Sequence, residues 1–310
     1  MSKKIVFFGT PEFAVPSLDA LVSEGFDIAA VVTATDKPAG RGHAMTPSAV
    51  KKYALDHNIP VLQPEKLRDP EFVDTLRQIG ADLFVVIAFR MMPEVVWAMP
   101  PLGTFNLHAS LLPKYRGAAP INWAVINGDT ETGVTTFFLS HDIDTGDIID
   151  RVSTPIHPTD CVGDVHDRLM ELGAHLTVDT VRKIFDGTVV RQPQSELLAG
   201  LEPTPAPKIF RETCQIDWNR PADAIHNLIR GLSPYPAAWS TLSLDGEAPR
   251  DFKIFSSEVT AEPSTNRPGT ASIDGDRLLI DTATTRLSVL SLQAPGKRRM
   301  STPDFLRGLR

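Results

Sequence analysis

The 310-residue chain is 42% hydrophobic and 22% charged, the makeup of an ordinary globular protein long enough for more than one domain. Its net charge of −7 excludes a protein that coats nucleic acid nonspecifically. The apolar start Ile5–Phe8 stops at Gly9-Thr-Pro-Glu12, too short for a secretory h-region, and no run approaches the ~20 apolar residues of a membrane span, so no membrane association is expected. Cys161 and Cys214 are far apart and lack zinc or redox spacing, which points to a reducing cytoplasm. The charge is uneven: residues 208–310 balance at +2 and the remainder at −9. An acidic front and a mildly basic back leave room for a nucleic-acid contact at the back.

Ile5–Phe8 reads as a strand buried on both faces. Thr10 is the expected N-cap of a following helix and Pro11 its first residue, with Phe13, Ala14, Leu18 and Leu21 at helical spacing. Ile28–Val32 completes a βαβ unit, so a parallel sheet is predicted. The polar stretch 35–47 is long for such a connection, and long loops in compact domains are usually functional. Helices are predicted near 48–58 and 70–79, strands at 59–62 and 83–88, and a turn region at 91–99. A strand at 105–108, a helix at 120–127, and strands at 134–139 and 148–152 follow, then an amphipathic helix over 161–185. That closes a predicted first domain at 1–189. Residues 190–207, with four prolines and no period, read as a linker. In 208–310 a helix at 222–229 precedes short alternating segments with tight turns, which suggest a small OB-like β-barrel. The fold class is thus α/β: a doubly wound, mainly parallel sheet with a C-terminal barrel.

Three polar groups can carry chemistry. Extended backbone alternates faces, so Asn106 and His108 leave one side of the 105–108 strand. Asp144 lies in a loop after another predicted strand, and ligands of parallel sheets sit beyond the carboxyl ends of strands. Asn offers an amide donor to a developing oxyanion. His can polarise a carbonyl or transfer a proton. A nearby carboxylate can orient the His, raise its pKa or accept a proton through water. Ser110 lacks a nucleophile elbow, so the trio suits direct acyl-type transfer without a covalent enzyme intermediate.

The run Asn106-x-His108-x-Ser110-Leu111-Leu112-Pro113-x-Tyr115-Arg-Gly117, followed by His141-Asp-x-Asp144-Thr-Gly-Asp147, closely resembles folate-dependent formyltransferases. Phe8-Gly-Thr-Pro-Glu-Phe-Ala14, Pro38-Ala-Gly-Arg41-Gly42, Ile216-Asp-Trp218 and Ile229-Arg-Gly231 resemble the methionyl-tRNA branch of that family, so the likeness covers nearly the whole chain. The resemblance implies formyl transfer from the co-substrate 10-formyltetrahydrofolate to methionine on initiator tRNA, with no metal. It makes Asn106, His108 and Asp144 the transfer trio, with His108 an oxyanion donor that Asp144 holds in its donor state. It sets Ser110, Leu111, Leu112 and Pro113 beside the folate and the Ile87, Ala88 and Phe89 backbone beside the pterin. It makes Arg41, with Lys37, the loop that meets the acceptor stem, and the second domain the tRNA-holding part. Lys297, Arg298 and Arg299 are the candidate phosphate contacts there. The family's Tyr-Gly after the 83–88 strand is Phe89-Arg90 here, and His43-Ala44 stands where lysines are common.

The same residues admit other chemistries. Gly9-Thr-Pro-Glu12 lacks the Gly-x-Gly-x-x-Gly of a dinucleotide site. His141, Asp142, Asp144 and Asp147 could form a divalent-metal cluster, but turn formers interrupt them. His166 and His175 are nine apart and do not pair. A formyltransferase for an amino-sugar nucleotide shares the trio, and the Arg41 loop counts against it. A non-catalytic tRNA-binding protein would not need the trio. A monomer is expected.

Overall fold

Ile5, Val6, Phe7 and Phe8 are completely buried, as a strand covered on both faces requires. The structure is a computed structural model describing residues 2–39, 44–198, 203–244 and 246–309. In it these residues form the strand Lys4–Gly9 within a seven-stranded sheet. From one edge the order is Ile148–Pro155, Glu131–Phe138, Thr104–His108, Leu83–Ile87, Lys4–Gly9, Asp27–Val32 and Val61–Leu62. The last five are mutually parallel. Glu131–Phe138 runs antiparallel to Thr104–His108.

Side-chain alternation divides the packing. Val6, Phe8, Phe84 and Val86 meet Phe72, Val73 and Leu76 of the helix Pro70–Ile79 in one apolar cluster. On the other face lies the long helix Val162–Asp186, where Gly173 sits against the Leu107 side chain and the Thr136 and Thr180 hydroxyls are 2.9 Å apart. A Cβ at Gly173 would stand 2.6 Å from Leu107 Cδ2, so a larger residue there requires the Leu107 side chain to shift.

Several predicted elements differ in their ends. Thr10 is not a cap. A 3-10 turn over Glu12–Ala14 comes first with extended Pro11 in the cap position, and the α-helix spans Val15–Ser23. Ser48 and Asp69 do cap their helices, accepting the Lys51 and Glu71 N–H groups at 3.0 and 3.1 Å. The predicted turn region at 91–99 contains a short helix, Glu94–Trp97, and the predicted linker contains another, Gln194–Leu198.

The chain divides into two compact units: Met1–Gly117, Gly133–Thr154 and His166–Pro205 in one, and Ala118–Thr132, Pro155–Val165 and Ala206–Arg310 in the other. The helix Pro120–Ile126 therefore belongs to the second unit, although it lies inside the predicted first domain. There Asn122 Nδ2 donates to the Gly231 carbonyl and Trp123 Nε1 to the Pro207 carbonyl, both at 2.8 Å. The second unit's sheet is antiparallel, ordered Ala238–Leu242, Arg250–Pro263, Thr285–Gln293, Arg277–Ile280, Ala271–Asp274, with Met300–Ser301 pairing on Thr285–Gln293. The pairing path is open among the described residues. Ile225, Leu228 and Ile229 of the helix Ala222–Gly231 join its core. Asp281 is buried there. Burial pushes its carboxyl up, but the Thr265 N–H, the Asn266 side-chain amide and N–H, and the Arg286 charge outweigh this and hold it below the usual carboxylate range.

Candidate active site

Asn106, His108, Thr135 and Phe137 share one sheet face, because Asn106 pairs with Phe137 and His108 with Thr135 in register. His108 is 7% exposed, and its ring lies edge-on to Phe137. His108 Nε2 is 2.8 Å from the Tyr115 carbonyl, which can only accept, so Nε2 carries the hydrogen. Nδ1 faces Asp144 Oδ2 at 3.8 Å, beyond hydrogen-bond length. The hydrogen bond that orients the ring thus comes from Tyr115, whereas the sequence gives that part to Asp144. Among the described residues the half-buried Asn106 amide has no hydrogen-bond partner, and it remains available to a ligand.

Asp144 reaches this face by an unexpected route. Phe138 pairs with Phe105, and Leu139 N–H donates to the Thr104 carbonyl. The strand before Asp144 therefore ends at the opposite end of Thr104–His108 from His108. The loop folds back over the Asn106 face, and Asp144 Oδ2 accepts the Gly117 N–H at 2.9 Å. Gly146 makes this return possible, since a Cβ there would lie 1.7 Å from the Phe138 carbonyl oxygen. Asp144 itself has φ 55°, a left-handed backbone that costs a side-chain-bearing residue about 1–2 kcal/mol.

The turn after the strand is fixed by its own hydrogen bonds. Ser110 Oγ donates to the Lys114 carbonyl at 2.6 Å, and Arg151 donates to the Leu112 carbonyl at 3.1 Å. Ser110, Leu112 and Pro113 are buried in the protein, and Leu111 is partly exposed. Ile87 pairs with Leu107, so the chain leaves the sheet at Ala88 and Phe89 beside the His108 end. Phe89 packs on Phe8, and Arg90 turns away to donate to the Pro64 and Glu65 carbonyls.

Other predicted residues stand elsewhere. Lys37 is exposed at the start of a short strand, Lys37–Ala39, which pairs with Ala44–Thr46. At its base Asp36 is held below the usual carboxylate range by hydrogen bonds from Lys51 and Gln63. Arg41 lies outside the described residues. Lys297, Arg298 and Arg299 are exposed in the second unit, and Arg299 lies over the Phe255 ring at 4.6 Å with its Nε on Ser291 Oγ. His141 stands 3.6 Å from Glu94. Sequence reasoning missed Tyr115 and Gln194; Gln194 sits in a segment without periodic pattern, and nothing local marks it.

An amide donor, an imidazole and a carboxylate on one sheet face form a site for group transfer at a carbonyl carbon. Residues 3–181 match the family described as Formyl transferase, and residues 208–310 match Formyl transferase, C-terminal domain. The chain is 57% identical over 307 residues to a methionyl-tRNA formyltransferase of Bacteroides fragilis, covering 98% of this chain and 94% of that relative. It is 47% identical over 306 residues to one of Flavobacterium johnsoniae, covering 99% and 96%. Among solved structures, the sugar 3N-formyl transferase WlaRD, crystallised with dTDP and 5-N-formyl-THF, has a TM-score of 0.69 at 21% identity, covering 96% of this chain and all of that one. HypX of Aquifex aeolicus with tetrahydrofolic acid has a TM-score of 0.65 at 16% identity, covering 99% of this chain and 47% of that one. The chain belongs to the formyl transferase family and, within it, to the methionyl-tRNA formyltransferases.

Proposed function

We propose that the protein transfers the formyl group of 10-formyltetrahydrofolate to the amino group of methionine on initiator tRNA, as a cytoplasmic monomer. The convergence of Asn106, His108 and Asp144 on one face carries the chemistry, and the full-length likeness to methionyl-tRNA formyltransferases supports the acceptor. The neutral amine attacks the formyl carbon; an N–C bond forms and the carbonyl oxygen becomes an oxyanion. The unpartnered Asn106 amide donates to it. Because Nε2–H is committed to Tyr115, Nδ1 is the working nitrogen of His108. It takes the amine's proton, with the Asp144 carboxylate balancing the imidazolium, and returns it to the folate nitrogen as the old C–N bond breaks. The products are the formylated aminoacyl-tRNA and tetrahydrofolate.

The folate lies against Leu111 and the backbone of Ile87–Phe89 and Ser110–Pro113. The second unit holds the tRNA as an OB-like fold, a reading supported by its bulged antiparallel strands and the exposed Lys297 and Arg298. Lys37 and Arg41 reach the acceptor stem. Formylation of Met-tRNA with 10-formyltetrahydrofolate tests this, with an amino-sugar nucleotide as the competing acceptor. His108→Ala and Asp144→Ala should each lower turnover by about 100-fold or more with normal folding. Near-wild-type turnover in either variant would overturn the assigned trio, and preference for the sugar would overturn the acceptor.

A further inference from the structure

We propose that Gln194 is a positioning residue for the catalytic carboxylate, a role that rests on the reading of Asp144 given above. Gln194 opens the short helix Gln194–Leu198 and is 3% exposed. Its Nε2 donates to the Asp144 and Gly146 carbonyls, both at 2.9 Å. Its Oε1 accepts from Arg116 Nε and Nη2 at 3.1 and 2.8 Å. A primary amide offers two donors and one oxygen with two lone pairs, so its capacity is filled.

The partners explain what this holds. Asp144 sits in the left-handed region, a conformation that persists in a residue with a side chain only where its surroundings over-determine it. Gln194 grips the turn at Asp144 O and again two residues on at Gly146 O, while the Gly117 N–H grips the Asp144 carboxylate. Arg116 stands between the two residues that serve the reacting pair. Tyr115 accepts the His108 Nε2–H, and Gly117 holds Asp144. The circuit therefore closes from His108 through Tyr115, Arg116 and Gln194 to Asp144. With no direct hydrogen bond across the 3.8 Å between His108 and Asp144, this circuit sets their separation. The approach of Gln194 is fixed in turn by Gln192, whose N–H and carbonyl bond Ile148 at 2.9 and 2.8 Å.

The test is a double-mutant cycle on the full-length enzyme, with kcat, both KM values and thermal midpoints measured for Gln194→Leu, Asp144→Asn and the pair. Gln194→Leu should lower kcat about 10- to 100-fold, the scale of a small misplacement of a catalytic group, with KM values changed less than about threefold. The pair should be no slower than Asp144→Asn alone, because Gln194 acts through Asp144. Gln194→Glu keeps the Arg116 contact and turns an oxygen toward the Asp144 and Gly146 carbonyls in place of both donors, so it should show the same fall in kcat, with its thermal midpoint measured alongside. This second variant keeps the test decisive if the Leu variant folds poorly. Wild-type kcat in Gln194→Glu, a change confined to KM, or a fully multiplicative loss in the pair would overturn the positioning role while Asp144 stood. Wild-type kcat in Asp144→Asn would overturn the reading of Asp144 itself, and this proposal with it.

Discussion

The Thr135 hydroxyl donates to the Ser110 carbonyl at 2.6 Å from a strand 25 positions further along the chain. The same oxygen accepts the Leu112 N–H at 3.1 Å. One completely buried side chain thus ties down both ends of the Ser-Leu-Leu turn. Thr135→Val keeps the shape and leaves a carbonyl and an N–H unpaired in a buried place, at about 1–3 kcal/mol each. If the turn borders the folate, KM for 10-formyltetrahydrofolate should rise about tenfold, equivalent to ~1.4 kcal/mol, with a smaller change in kcat. Steady-state kinetics at varied folate check this, and an unchanged KM would detach the turn from the folate site.

Gly146 makes a sharper demand. Its missing Cβ is what lets the returning loop lie on Phe138, so Gly146→Ala must push the loop off the sheet. Because Asp144 is two residues away, kcat should fall about 100-fold. The apolar core of the sheet does not depend on the loop, so circular dichroism should still report a folded chain. A variant with retained turnover would show that the carboxylate need not stand where this loop carries it.

Asp281 predicts a pH dependence of stability for the second unit. Its folded-state pKa lies below the ordinary 3.8, so the native state favours the charged form. The stabilisation is present above the unfolded-state value and is lost as pH falls through the lower folded-state value. Asp281→Asn should cost on the order of 2 kcal/mol near neutrality, from weakened charge-assisted hydrogen bonds to Thr265 and Asn266. That deficit should shrink below pH 4, as denaturant titrations of both proteins at neutral and acid pH would report. A deficit independent of pH would assign the loss to packing.

What the sequence disclosed follows from the range of the forces. The shared face of Asn106 and His108 is a consequence of strand alternation, a local rule, and register with Phe137 and Thr135 preserves it. The buried strand at Ile5–Phe8 was legible because four apolar residues in a row leave few other options. The route of Asp144 was not legible. It depends on Glu131–Phe138 reversing direction, which is decided by pairing with a strand some thirty residues earlier. Gln194 escaped because a glutamine in a proline-flanked polar stretch shows no period, and its four hydrogen bonds go to Arg116, Asp144 and Gly146 in two distant turns. The helix Glu94–Trp97 is a single turn, too short for periodicity to register. The second sheet's irregular register, shifted between Ile254 and Ser256 and again beyond, likewise lies outside what alternation can foretell.

The reversed strand also separates two properties usually read together. The carboxylate arrives on a detour anchored at Leu139 and at Asp147, whose carbonyl accepts the Phe138 N–H, and the detour supplies no rung to the seven-stranded ladder. A lineage could rewrite residues 140–146, discard the acid and keep every strand. Architecture and reactivity are then inherited on different pieces of chain. A distant protein that superimposes on this sheet is a relative in shape, but its chemistry has to be sought in that detour.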